Sequence, residues 1–206
     1  RLTSLFYLIR DKVTTDKGYL KLYFSRNWKP VEYNYSSSDK INNFNLEHVS
    51  FGHDIETAYL LLEAAEVLHI KDSVTIYKAK KMVNHTLING WDKSKGGIFD
   101  AGYYFKNQNQ ITIIKNTKEW WSQAEALNSS LLMSKIFPDD EINYYHFFEM
   151  QWDYIKKYLI DNENGGWFIG GIDIEPKNKN MPKGTIWKGN YHTTRALINC
   201  INMLKS

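Results

Sequence analysis

Apolar residues recur at helical spacing over most of the chain. In the opening segment RLTSLFYLIR, Leu2, Leu5, Phe6, Leu8 and Ile9 cluster on one side of a helix running from Arg1 to Arg10. Ile55 to His69 (IETAYLLLEAAEVLH) contains neither Gly nor Pro and consists largely of strong helix formers. After the polar break Lys71-Asp72-Ser73 the helical pattern resumes from Val74 to Ile88. Glu119 to Phe137 is closed by Pro138, and Glu141 to Ile160 follows the tight Pro138-Asp139-Asp140 connection. A last helix is predicted from Tyr191 to Leu204, for a total of six, mostly in sequential pairs. The class is all-α.

A repeated turn punctuates the helices. Asp16-Lys17-Gly18-Tyr19-Leu20, Asp92-Lys93-Ser94-Lys95-Gly96-Gly97-Ile98-Phe99 and Asp161-Asn162-Glu163-Asn164-Gly165-Gly166-Trp167-Phe168 share an acidic start, glycine and a following aromatic. They recur about 70–80 residues apart, the spacing of an internal repeat. Helix, helix, Gly-turn and short aromatic segment make a unit that stacks into a solenoid or an α/α toroid. Short β-like pieces are predicted at Gly97–Ala101, Gln110–Ile114 and Trp167–Asp173. The loops Lys29–Val49, Ala101–Lys118 and Ile172–Gly189 are longer than connections require, and would line a site if they shared one end of a toroid.

Composition narrows the function. Hydrophobic residues at 43% and aromatics at 15% exclude a disordered chain, and no apolar run approaches the ~18 residues of a membrane span. A net charge of +3, spread evenly, carries no nucleic-acid footprint. Cys200, the sole cysteine, builds no disulfide framework and fits a reducing compartment. With no secretory segment ahead of Arg1, a cytoplasmic location is expected. Because the chain opens inside a helical pattern, further structure upstream is expected too. Neither a P-loop nor a dinucleotide fingerprint is present, so no cofactor is expected.

Two of the six histidines stand apart. His53, in Ser50-Phe51-Gly52-His53-Asp54-Ile55-Glu56, and His192, in Trp187-Lys188-Gly189-Asn190-Tyr191-His192, each sit where a Gly-containing loop enters a helix. A helix N-terminus disfavours the imidazolium and so favours the neutral base. His69, His85 and His146 fall inside ordinary helical patterns and read as structural. Glu56 lies one turn after His53 on the same face, either as a dipole-stabilising carboxylate or as a site residue. Two histidines and a carboxylate can hold a divalent ion, but no second clustered ligand pair appears, so no metal is expected. Trp120 and Trp121 point about 100° apart on a helix. One suits a core while the other suits a flat apolar wall for a sugar ring, with Gln123 and Glu125 available to hydroxyls.

These motifs, SFGHDIE, KEWWSQAEA, GGWF and WKGNYHTTRA, resemble in order those of the cellobiose 2-epimerase branch of the N-acylglucosamine 2-epimerase superfamily. Asp54 in the HDIE motif favours that branch, although Asn190 stands where it usually has proline. The resemblance covers nearly the whole chain, yet only the carboxy-terminal half of a member. It therefore implies a single domain over residues 1–206, half of an (α/α)6 barrel. It also implies that His53 and His192 are the general acid/base catalysts and that Glu56, Trp120, Trp121, Glu125 and Trp187 contact substrate. The implied partner is a mono- or disaccharide, with a missing amino-terminal half or self-association covering the open edge.

Inverting C2 of an aldose requires a proton to leave from one face and return to the other, and imidazoles on both faces can do this near neutral pH. The rivals are an aldose–ketose isomerase on the same scaffold and an inactive or carbohydrate-binding half-barrel. A glycosidase would need paired carboxylates, which are not evident here.

Overall fold

A computed structural model describes residues 1–39 and 43–205. Positions 40–42 of the expected Lys29–Val49 loop lie outside the described residues. The chain divides into two compact units, Arg1–Gly90 with Ala101–Lys115, and Trp91–Asp100 with Asn116–Ser206.

The first unit opens with α1 (Leu2–Tyr7), which continues as a π-helical turn over Leu8–Val13. A long irregular arm then reaches the short helix α2 (Phe44–Glu47) and strand β1 (Val49–Ser50). Helices α3 (Phe51–Val67) and α4 (Ser73–Asn89) follow and pack as a hairpin. Their facing positions are Ile55, Ala58, Leu61 and Ala65 on α3, and Ala79, Met82, Val83 and Leu87 on α4, all buried at the spacing of one helical stripe. Asp72 caps α4 by accepting from the Thr75 N–H, and Arg10 donates to its other oxygen at 2.8 Å. Strands β2 (Ala101–Tyr103) and β3 (Thr112–Lys115) complete an antiparallel sheet ordered β1-β2-β3, with Val49 opposite Gly102. A Cβ at Gly102 would come within 2.6 Å of the Ile111 side chain and 3.1 Å of the Phe51 ring, so glycine suits this close approach.

The second unit is built on α5 (Trp120–Ile136), α6 (Tyr144–Tyr158) and α7 (Tyr191–Lys205), with a 3-10 turn over Pro176–Asn180. Helix α5 packs on both α6 and α7 and is buried continuously from Ser122 to Leu131. Such a helix must satisfy its polar residues internally. Gln123 does so by clamping Ile98, accepting its N–H at 2.9 Å and donating to its carbonyl at 2.8 Å, and it also accepts from Gln151. Gln123 is therefore a core residue and not the hydroxyl ligand its place in the motif suggested.

The repeated turn is real, and its two later copies are hydrogen-bonded alike. The Asp92 N–H donates to Gly97 O and the Gly96 N–H to Asp92 O; the Asp161 N–H donates to Gly166 O and the Gly165 N–H to Asp161 O. All four glycines have positive φ, between 74° and 81°, which accounts for the GG pair. In each copy a distant lysine donates to the Asp carboxylate and to the first glycine's carbonyl: Lys118 in one, Lys183 in the other. Lys118 is fully buried and also reaches Asp173 at 2.9 Å. In the first copy Thr15 takes the position of Asp92, its N–H donating to Tyr19 O, so Asp16 is not the equivalent residue.

Other local boundaries also shift. Helix α3 starts at Phe51 rather than Ile55, which brings His53 inside the first turn. Gly97–Ala101 is not a strand; Ile98 makes a lone bridge with Trp91, and extended pairing begins only at Ala101. His69 lies beyond the end of α3, at φ 55°, rather than within the helix. No helix among the described residues is long and apolar enough to cross a membrane.

Candidate active site

In the first unit the candidate groups surround the start of α3. Ser50 is its N-cap, but the hydroxyl makes no capping bond to the backbone. It pairs instead with His53 Nδ1 at 2.7 Å, leaving an exposed imidazole held at one nitrogen by a neutral group. Glu56 lies one turn further along the same helix and is half-buried. Asp54 points the other way. It is fully buried, accepts the Leu20 N–H at 2.8 Å, and burial pushes its carboxyl well above the ordinary carboxylate range. HDIE thus combines an exposed imidazole with an inward aspartate that pins α3 to the segment after the Gly18 turn.

In the second unit the candidates gather where α5 and α7 begin. Glu125 has no exposed surface, and its Oε1 accepts from His192 Nδ1 at 2.7 Å and from Arg195 at 2.5 Å. Its Oε2 is buried without a hydrogen-bond partner among the described residues. Arg195 also donates to the Tyr191 hydroxyl, and its guanidinium lies 4.4 Å from that ring's centroid. The Trp121 ring centroid is 5.5 Å from that of His192, and the Trp121 indole N–H donates to Glu119 at 3.0 Å.

The tandem indoles divide as their angular spacing requires. Trp121 is half-buried beside His192, whereas Trp120 is 4% exposed and belongs to the core with Leu127, Ile155 and Trp167. Trp120 thus takes the core placement that the sequence allowed to one of the two indoles. Trp187 is 82% exposed on the loop before α7, its N–H donating to Thr185 Oγ1.

A carboxylate accepts but cannot donate, so an ionised Glu125 requires His192 Nδ1 to carry hydrogen. Arg195 compensates the buried charge. Ser50 imposes no such choice on His53, because a hydroxyl can either give or accept.

The family profile of N-acylglucosamine 2-epimerase (GlcNAc 2-epimerase) matches residues 1–196. The chain belongs to this family. Among relatives, the cellobiose 2-epimerase of Bacteroides fragilis is 28% identical over 208 residues, spanning 99% of this chain and 46% of the relative. The D-mannose isomerase of Thermobifida fusca is 25% identical over 84% of this chain and 41% of its own. In three dimensions the cellobiose 2-epimerase of Bacillus thermoamylovorans superposes with a TM-score of 0.76 at 24% identity, over 97% of this chain and 46% of that one. The fold is that of the epimerase family, and the chain spans about half the length of the relatives it matches.

Ser50, Tyr191 and Arg195 stand against the candidate residues, and sequence reasoning passed over all three. The signal for Arg195 was its i,i+3 spacing from His192, which puts both on one face of α7. Ser50 gave no signal of its own, and only the structure shows its hydroxyl paired with a side chain.

Proposed function

We propose that the protein is a sugar 2-epimerase of the cellobiose type, inverting C2 of the reducing-end glucose or mannose unit of a disaccharide. After ring opening, the aldehyde acidifies the C2 hydrogen. One imidazole takes that proton and the other returns one to the opposite face of the enediol, with hydrogen-bond donors stabilising the oxygen. His192 is the histidine whose role is better defined, and the observation that carries the reading is its bond to buried Glu125, which favours Nε2 as the exchanging atom. His53 is assigned the complementary role. Trp121, with Trp187 and Glu56, is assigned to the sugar. A complementary polypeptide half is assigned as the partner, since the relatives are about twice as long.

The test is solvent-deuterium incorporation at C2, followed by NMR in the full protein. His53→Asn and His192→Asn are each expected to lower exchange by at least ~10³-fold with the fold retained. Undiminished exchange in either variant rejects the pair. The D-mannose isomerase relative favours a second reading, transfer of the proton between C1 and C2 to give a ketose. Product analysis separates the two, because an epimerase yields an aldose and an isomerase a ketose.

A further inference from the structure

The segment that leads into α7 is attached to its unit through lysines and not through its apolar residues. Of the described residues from Met181 to Asn190, all are exposed except Lys183 and Lys188. Ile186 and Trp187 are 91% and 82% exposed, so neither anchors the segment by burial. Lys183 donates to the Asp161 carboxylate and, at 2.7 Å, to Gly165 O, which docks its head on the second glycine turn. Lys188 Nζ donates to Lys183 O at 2.8 Å and lies 5.5 Å from the centroid of the core indole Trp120. Between the two lysines, the Thr185 hydroxyl accepts the N–H groups of Trp187 and Lys188 and closes a tight turn that carries the exposed indole. Any shift at Lys183 is therefore passed to Trp187.

The other copy of the glycine turn shows how a lysine in this place behaves as part of a core. Lys118 has no exposed side-chain surface and lies between the buried carboxylates of Asp92 and Asp173. Removing it would strand buried charge, at a high cost to the whole fold. Lys183 repeats the pattern at the surface, with 30% of its side chain exposed. An ion pair this exposed adds little to global stability. Its consequence is local: it fixes where the Thr185–Lys188 turn sits.

That placement bears on the site. Thr185 and Trp187 line a cleft of about 360 Å³ together with Glu119 and Trp120. Glu119 also accepts the indole N–H of Trp121, the ring beside His192. Resting on the sugar reading of the site, we propose that Lys183 is a positioning residue: docked on the second glycine turn, it holds Trp187 in place along this cleft and touches no substrate itself.

Lys183→Met keeps most of the stem and removes the charge. In the full protein it is expected to raise KM for cellobiose about fivefold, with kcat within about twofold and Tm little changed. Amide hydrogen exchange over residues 183–190 should quicken about tenfold, while α5 and α6 exchange as in the parent. Asp161→Asn, which keeps an acceptor for the turn but not its charge, should raise KM alike, and the double variant should be no worse than either alone. Parent-like exchange over 183–190 in Lys183→Met overturns the inference. Faster exchange with KM unchanged, or additive losses in the double variant, overturns it too. If the parent turns over no sugar, the sugar reading of the whole site falls, and the exchange measurement still decides whether Lys183 holds the turn.

Discussion

His53 and His192 occupy matching places, each in the first turn of a helix, yet their Nδ1 atoms meet different chemistry. His192 faces a buried carboxylate shared with Arg195, and His53 faces a serine hydroxyl. The contrast extends into their units. Around His192 stand a hydrogen-bonded buried carboxylate, an indole, and a tyrosine ring 4.9 Å away edge-on. At His53 the ring is exposed and its Nδ1 pairs with the Ser50 hydroxyl. A residue type and its helix position are therefore not enough to define a proton-transfer role; the partner at the second nitrogen does that.

Breaking that asymmetry is the most sensitive test. Glu125→Gln should keep a hydrogen bond to His192 while removing the charge, lowering C2 exchange ~10²–10³-fold with substrate affinity little changed. Ser50→Ala should cost less than ~10-fold. Equal losses in the two variants would show that the carboxylate confers nothing special.

Acid should also tell the units apart. In the first unit, burial and then Lys17 push His85 down to about 4 from its ordinary 6.5. Between those values the unfolded chain binds the proton and the folded one does not. Stability should therefore fall as pH drops from 6.5 to about 4, by ~2–3 kcal/mol, and level off below. His85→Phe should flatten that step in an acid titration followed by circular dichroism. In the second unit, burial pushes Asp92 upward but hydrogen bonds from Lys118 and Ser94 outweigh it, holding the carboxyl at about 2. Its contribution is present above ~4, the unfolded value, and is lost only as pH falls toward 2. A modest effect is expected at Trp121. Trp121→Ala should raise KM about tenfold with little change in Tm, and a large loss of Tm with KM unchanged would move that indole into the core.

The helices were legible because each is specified within its own span. The period of Val74–Ile88 and the stop at Pro138 involve neighbours a few residues away, and α4 and α5 follow them closely. The glycine turns were legible for the same reason, since positive φ is a property of the residue itself. Less legible was the first turn, one residue shorter than the others, where matching acidic residues picked Asp16 while hydrogen bonding picks Thr15. Both histidines could be read from their junctions, but Ser50, Tyr191 and Arg195 gave only spacing.

From its sequence alone this protein's all-α class, its repeated turns, the family it belongs to and the two candidate bases could be read, because periodicity, turn chemistry and motif order are local properties. What each polar side chain does was decided by tertiary structure. Gln123 and Glu125 stand two positions apart on α5 and are equally buried, yet one clamps the backbone of Ile98 and the other orients His192. Their partners lie 25 and 67 residues away along the chain. A buried polar atom is satisfied by whatever the fold brings within 3 Å, and no pattern of neighbouring residues specifies that.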